Sequence, residues 1–175
     1  MYWWWRSSIN IWYTTHMKYF FDSVTVEYSI RLFTALILGM SIGTERVWAH
    51  KTAGMRTYAL VAMGSALFVL VSEEMVKYYT VLPGLNPLMI VAQIVVGVGF
   101  LGTGLIFTKE NKLMGMTTAT ALWVAAGIGM ACGFGLYKLA LLATILTIFI
   151  FTILWFLEQH IKKSKYFINS HIDDN

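Results

Sequence analysis

The residues from Leu88 to Thr108 form an uncharged, largely apolar stretch that contains four glycines. At about 1.5 Å rise per residue, a helix of this length crosses a hydrocarbon core of about 30 Å. Glycine is a weak helix former in water, but in lipid it lets helix backbones approach one another closely. The stretch therefore predicts a transmembrane helix that packs tightly inside a bundle.

The same stretch matches the dinucleotide-binding pattern G-x-G-x-x-G between Gly97 and Gly102. That pattern carries meaning only after a strand, at the start of a helix, with an acidic residue about 20 positions further on. Here the glycines lie deep inside an apolar run, and no Asp or Glu occurs between Asn111 and Glu158. We interpret the pattern as helix packing.

The composition is that of a membrane protein. Of the 175 residues, 58% are hydrophobic and only 13% are charged, against about 25% charged in a soluble domain. The net charge of +4 comes from lysines and arginines scattered between apolar segments, which is typical of membrane loops and excludes a nucleic-acid-binding surface.

Enzyme chemistry has little support in the sequence. The four histidines lie outside the apolar segments and show no metal-ligand spacing, so neither a metal site nor another cofactor is expected. No Ser-His-Asp or G-x-S-x-G arrangement occurs. The single cysteine, Cys132, lies in an apolar run and is expected to act as a small hydrophobic side chain.

Apolar segments of near-membrane length recur along the chain. Five spans are predicted, from Val24 to Gly43, Thr57 to Val71, Leu88 to Phe107, Met116 to Phe134, and Leu139 to Leu157. The predicted fold is all-α, an integral membrane helix bundle of about five transmembrane helices. Glu27 and Arg31, four residues apart in the first span, are expected to neutralise each other.

The two ends of the chain fall outside this predicted domain of residues 24–157. Residues 1–23 are rich in Trp and Tyr, which favours an interfacial segment. An upstream-start artefact that makes Met17 the true start is an equal alternative for residues 1–16. Residues 158–175 are expected to form a short cytoplasmic tail, too small to fold alone.

The distribution of lysine and arginine predicts an orientation. Eight of these residues fall on the side that holds the loop between spans one and two, and five fall on the opposite side. Positive charge is enriched in cytoplasmic loops, so the N-terminus is predicted outside and the C-terminus inside the cell.

Small residues indicate how the helices pack. On a helix of 3.6 residues per turn, Gln93, Gly97 and Gly104 share one face, and Gly99 and Gly102 lie on the opposite face. We therefore expect the third span to occupy the centre of the bundle. The pairs Gly39/Gly43 and Gly129/Gly133 form GxxxG patterns and are candidate partners for it; further expected packing residues are Gly54, Trp123 and Gly127.

A few polar residues near membrane depth are candidates for function. Gln93 needs hydrogen-bond partners in the bilayer, either in an interhelical bond or in a conduction or partner-binding groove. Glu45 and Arg46 end the first span, and Arg56 and Thr57 open the second, where Glu45 and Arg56 could pair. The hydroxyls of Thr117, Thr118 and Thr120 are expected to cap the fourth span or bond back onto it.

Several motifs in order resemble the membrane domain of the MgtC/SapB family over about residues 24–157. They are Gly43-Thr44-Glu45-Arg46, Ala53-Gly54-Met55-Arg56-Thr57, Ala92-Gln93-Ile94-Val95-Val96-Gly97-Val98-Gly99-Phe100-Leu101-Gly102-Thr103-Gly104, Gly115-Met116-Thr117-Thr118-Ala119-Thr120-Ala121-Leu122-Trp123, and Gly127-Ile128-Gly129-Met130-Ala131-Cys132-Gly133-Phe134-Gly135. The chain departs from the usual family pattern at Thr103 and Met116.

The resemblance implies a bacterial inner-membrane protein linked to growth under magnesium limitation and, in pathogens, to intracellular survival. Many family members carry a soluble domain after the last span, and the sequence predicts a short form without one. Mg²⁺ prefers oxygen ligands, commonly carboxylates, but spans two to five hold no acid between their ends. We therefore expect a regulator of other membrane proteins through helix contacts, with a Mg²⁺ or other ion transporter or channel as the alternative; a homo-oligomer is left open.

Overall fold

The computed structural model describes residues 22–78, 86, 88–109 and 111–161. Most of these residues are helical, and a short antiparallel hairpin connects two of the helices. The elements are α1 (Ser23–Trp48), α2 (Met55–Tyr78), α3 (Leu88–Thr103), β1 (Phe107–Lys109), β2 (Lys112–Met114), α4 (Met116–Gly133) and α5 (Tyr137–Ile161). The predicted aromatic segment, except for its last two residues, and most of the predicted tail lie outside the described residues.

The helices α1, α2, α4 and α5 are long and apolar enough to cross a membrane. Helix α3 has 16 residues and therefore spans only about 24 Å. The third span was predicted to continue as helix to Phe107; this is wrong, because α3 ends at Thr103 and Phe107 begins β1. The molecule is an all-α integral membrane helix bundle with this one short hairpin added.

A tight turn connects α1 to α2 and folds them into an antiparallel pair. The Lys51 amide donates to the Arg46 carbonyl at 3.0 Å, and the His50 amide donates to the Val47 carbonyl at 3.1 Å. His50 itself adopts a left-handed conformation with φ of 53°. This pattern is the one that commonly ends helices with a glycine, and here it reverses the chain within a few residues.

Helix α4 occupies the centre of the bundle, since it packs against α1, α2, α3 and α5. Its sequence permits this position because small side chains, including Ala121, Ala125 and Ala126, are buried around it. The expectation that the third span forms the centre is wrong. Helix α3 packs mainly on α4 and lies at the edge of the described bundle.

The turn from β2 into α4 depends on Gly115. Its φ is 87°, and a Cβ at this position would lie 1.9 Å from the Leu105 carbonyl oxygen. Only glycine combines this left-handed conformation with such a close backbone approach. The end of α3 is thereby held beside the start of α4.

Candidate functional site

A buried ion pair lies where α1 ends, an end of the bundle that we call the Arg46 end. Arg46 is only 2% exposed, and its Nη1 lies 3.5 Å from Oε2 of Glu45. Its Cζ lies 4.3 Å from the ring centroid of Phe151 on α5. The Nε and Nη2 atoms of Arg46 and the Oε2 atom of Glu45 are buried without a hydrogen-bond partner among the described residues. A charged pair with unsatisfied atoms in a low-dielectric region is costly, which makes this end a candidate for function.

The predicted pairing of Glu45 with Arg56 is wrong. Both Arg56 and Thr57 are exposed in the first turn of α2, whereas Glu45 lies beside Arg46. Sequence spacing could not distinguish these partners, because the tight turn after α1 decides which cation Glu45 meets.

Tyr58 connects α2 with α4 at the same end. It is fully buried, and its hydroxyl donates to the Thr118 carbonyl at 3.2 Å. Thr118 is buried and Thr117 is exposed. Gly115 occupies the N-cap position of α4, so no side chain caps this helix. Thr120 instead donates to the Met116 and Thr117 carbonyls at 3.1 and 3.0 Å. Of the two expected roles, bonding back onto the helix is therefore the one observed for Thr120.

A second charged cluster lies at the opposite end of the bundle, which we call the Arg31 end. Arg31 pairs with Glu27, as the spacing predicts. Its Nη1 also donates to Glu73 Oε2 on α2 at 2.9 Å and to the Gly133 carbonyl at the end of α4 at 2.7 Å. Sequence reasoning missed this three-helix junction, although charges at matching ends of two antiparallel spans were a usable signal.

The two GxxxG pairs contact α2 and not α3. A Cβ at Gly39 would lie 2.6 Å from the Tyr58 carbonyl oxygen, and one at Gly43 would lie 2.5 Å from the Cα of Met55. On α4, a Cβ at Gly129 would lie 2.0 Å from the Ala62 carbonyl oxygen. The second GxxxG residue, Gly133, meets Ala66 and Val69, and Gly54 faces Val47. The assignment of these motifs to the third span is therefore wrong, because the helix that they contact is α2.

Most glycines of α3 make no contact with a neighbouring helix among the described residues. A Cβ at Gly97 or Gly99 would meet nothing within 4 Å, and the same holds for Gly127 on α4. Gly102 faces Ala119 of α4 at 3.6 Å, whereas Gly104 approaches only the Leu101 carbonyl. Trp123 is about half exposed on α4. Among the described residues, Gly97, Gly99 and Gly127 thus lack the helix contacts expected of them, and a further helix could approach them there.

A groove of about 540 Å³ runs between α2 and α3, and we call it the α2–α3 groove. Small or polar residues on its wall are Gly64 and Ser65 of α2 and Gln93 and Gly97 of α3. Leu60, Phe68 and Leu101 supply apolar walls. Gln93 is exposed, so its amide adjoins a lipid-accessible groove and not the interior of the chain.

Acidic side chains lie toward the two ends of the bundle. Glu27, Glu73 and Glu74 belong to the Arg31 end, where each contacts a basic residue, and Glu45 belongs to the Arg46 end. Within the described ranges, no three His, Cys, Asp or Glu side chains are grouped so as to hold a metal ion.

Together, the apolar helices and their close glycine contacts define a polytopic helical membrane protein. The model of the MgtC family matches residues 32–160, and the chain belongs to this family. The relevant motifs, from Glu45 and Arg46 to the glycines of α4, lie within that range.

Curated relatives agree with this assignment. The chain is 43% identical over 131 residues to a protein of Escherichia coli K12 named "Putative magnesium transporter YhiD", covering 73% of this chain and 60% of that protein. It is 47% identical over 119 residues to "Protein MgtC" of Salmonella typhimurium, covering 68% of this chain and 48% of that protein. The chain thus spans about half to three fifths of the length of these relatives. No solved structure matches it.

Proposed function

We propose that this protein acts in magnesium or stress homeostasis by regulating other proteins of the bacterial inner membrane through helix contacts. The α2–α3 groove is the observation that carries the proposal. Its wall includes Gly64 and Gly97, where an added Cβ would meet nothing within 4 Å. Small residues let a further helix backbone approach closely in lipid, so the groove has the surface that a partner's transmembrane helix requires.

Gln93 adds specificity to this surface. An amide in the hydrocarbon region gains from a hydrogen-bonding partner, and interhelical bonds of this kind contribute about 0.6–2 kcal/mol. Because Gln93 is exposed on the wall of the groove, a polar residue of the partner helix would complete its hydrogen bonds. The bound helix would be selected by this one polar position and by the shape of the glycine surface.

A Mg²⁺ or other ion transporter is the second candidate, and the name of the Escherichia coli relative favours it. Transport would require oxygen ligands along a path through the bilayer. The acids of the described helices lie near the two ends, and the Arg31 end already uses three of them in ion pairs. This arrangement supports regulation over conduction.

The proposed orientation keeps the N-terminus outside and the C-terminus in the cytoplasm.

Growth under magnesium limitation tests the proposal in a bacterial strain that lacks its own MgtC-family protein. Gly64→Leu and Gly97→Leu place a side chain in the groove at positions where an added Cβ would meet nothing within 4 Å, so both variants should reach normal levels but fail to restore growth. Gln93→Ala should weaken the rescue. Val96→Leu is the matched control, because Val96 is largely exposed beside the groove and is not part of its wall.

Full growth with both groove-filling variants at normal protein levels would show that the α2–α3 groove is not needed for the function.

A photo-crosslinker placed at Phe68 identifies the molecule that occupies the groove in wild-type membranes. Crosslinks to another membrane protein support the proposal, whereas crosslinks to a second copy alone would replace it by self-association.

A further inference from the structure

A second groove lies at the Arg46 end, between the end of α1 and the π-helical turn of α5. Its volume is about 820 Å³, and we call it the α1–α5 groove. The side chains that matter most for recognition are Glu45, Trp48, His50, Phe151, Thr152 and Trp155. The π-helical segment Ile150–Leu154 contributes two of them, and such wide turns are frequent at functional sites.

The hydroxyl groups along this groove have already used their hydrogens. Ser41 donates to the Ile37 carbonyl at 2.8 Å, Thr44 to the Met40 carbonyl at 2.8 Å, and Thr152 to the Ile148 carbonyl at 2.7 Å. Their oxygens remain as acceptors. Glu45 adds a carboxylate, which in its ionised form accepts hydrogen bonds and donates none. Apart from the His50 ring and the indole N–H groups of Trp48 and Trp155, the polar lining therefore calls for a ligand that donates hydrogen bonds.

Aromatic rings surround these acceptors. Trp48, Phe151 and Trp155 all line the groove, and aromatic faces attract cations, with tryptophan the strongest. The Arg46 guanidinium already lies over the Phe151 ring, which leaves the two tryptophans for a ligand. A carboxylate combined with aromatic faces is the chemistry that recognises an ammonium group.

The charge balance indicates a ligand without net charge. Arg46 lies 3.5 Å from the Glu45 carboxylate, so the pair is neutral as a whole. A divalent ion or a polyamine would leave the Arg46 charge uncompensated in a low-dielectric region. A zwitterion instead places its cation beside Glu45 and its anion toward the exposed His50 and Lys51 of the following turn.

The position of the groove indicates that this zwitterion is a lipid. The groove lies on α5, and the α5 side chains between it and the bilayer interior are apolar and exposed, as at Leu141, Ile145 and Phe149. Trp48 and Trp155 are both largely exposed at this end, and tryptophan favours the headgroup zone of a bilayer. An acyl chain can therefore follow α5 while the headgroup enters the groove.

We propose that the α1–α5 groove binds the headgroup of an ethanolamine-type phospholipid, with the primary ammonium against Glu45 and the tryptophan rings. This site is distinct from the α2–α3 groove and does not depend on the proposed regulatory function.

Native mass spectrometry of the purified full chain in detergent tests this site. Palmitoyl-oleoyl phosphatidylethanolamine is titrated against the phosphatidylglycerol and phosphatidylcholine of the same acyl chains. We expect the ethanolamine lipid to bind about ten-fold more tightly than the glycerol lipid. Phosphatidylcholine should bind with intermediate affinity, because its headgroup keeps the cation–π attraction but has no N–H to donate.

Two variants and one control assign the binding to the groove. Glu45→Gln and Trp155→Leu should each lower the affinity for the ethanolamine lipid about five-fold or more. Trp123→Leu should leave it unchanged, because Trp123 is an equally exposed tryptophan on α4, outside the groove. Melting in detergent without added lipid identifies a variant that fails to fold. The lipid affinity of the other variant then tests the site.

Equal retention of the three lipids by the wild-type chain would overturn the proposal. Unchanged ethanolamine-lipid binding in folded Glu45→Gln and Trp155→Leu would do the same. Free phosphoethanolamine distinguishes the source of the ammonium group. Competition at the same concentration as the lipid would show a soluble-amine site and refute a lipid site.

Discussion

Replacing Gly129 by alanine should separate α4 from α2. The added Cβ would lie 2.0 Å from the Ala62 carbonyl oxygen, where an ordinary contact begins at 3.4 Å. The helices must therefore move apart by about 1.4 Å, the difference between these distances, because a backbone carbonyl cannot rotate away as a side chain does. Overpacking of this kind costs about 1–3 kcal/mol, and alanine recovers at most about 1 kcal/mol through its better helix propensity.

The resulting net loss of unfolding free energy, up to about 2 kcal/mol, should appear as a lower melting temperature in detergent, by up to about 8 °C for a chain of this size. Gly127→Ala is the matched control, since it lies on the same helix and its Cβ would meet nothing within 4 Å. That variant should melt at or slightly above the wild-type temperature. Equal melting of the two variants would refute the reasoning that α2 and α4 are in backbone contact at Gly129.

Two further predictions concern topology and the Arg31 end. In a Cys132→Ser background, an impermeant thiol reagent applied from outside should label a cysteine at Asn86 but not one at Lys112, and the reverse pattern would invert the orientation. Arg31→Gln should destabilise the protein by about 1–3 kcal/mol in detergent melting, because it leaves charged and carbonyl acceptors of three helices without their donor. Lys77→Gln, which breaks an exposed pair, should leave the melting temperature close to that of the wild-type chain, because exposed ion pairs contribute little to stability; equal losses in both variants would show that the Arg31 junction adds nothing.

The sequence was sufficient to predict the class of fold and the location of most helices. Uncharged apolar segments directly indicate helices that span the membrane, since every backbone polar group in lipid must be paired within a helix. Helix ends were less predictable. Helix α2 continues to Tyr78, beyond the predicted end at Val71, because Glu73 is neutralised by Arg31 of the neighbouring helix and can remain helical near the membrane.

Helix neighbours could not be deduced from the same pattern. A GxxxG pair shows that some helix approaches closely but not which one, so the pattern alone cannot show that Gly39 and Gly129 both face α2. Small residues on two faces of α3 predict contacts on both sides and hence a central position for this helix. In the described part of the chain only Gly102 makes such a helix contact, and the alanines of α4 carry the central packing instead.

The candidate site was predictable by residue type but not by arrangement. Glu45, Arg46 and Gln93 were recognised because polar groups are rare at membrane depth. The burial of Arg46 over Phe151 joins residues about one hundred positions apart, and no local periodicity encodes that contact. The π-helical turn of α5, which contributes to the α1–α5 groove, has no sequence signal of its own.

Magnesium flux is the measurement that tests the central claim of regulation by contact most directly. The purified protein is reconstituted into vesicles that enclose a Mg²⁺-sensitive dye, and its fold is checked by its melting temperature before reconstitution. Flux should equal that of protein-free vesicles, because the acids of the described helices lie toward the ends of the bundle and not along a path through it. A dye response that rises with the amount of protein and disappears in Gln93→Ala would contradict the regulator and establish a transporter.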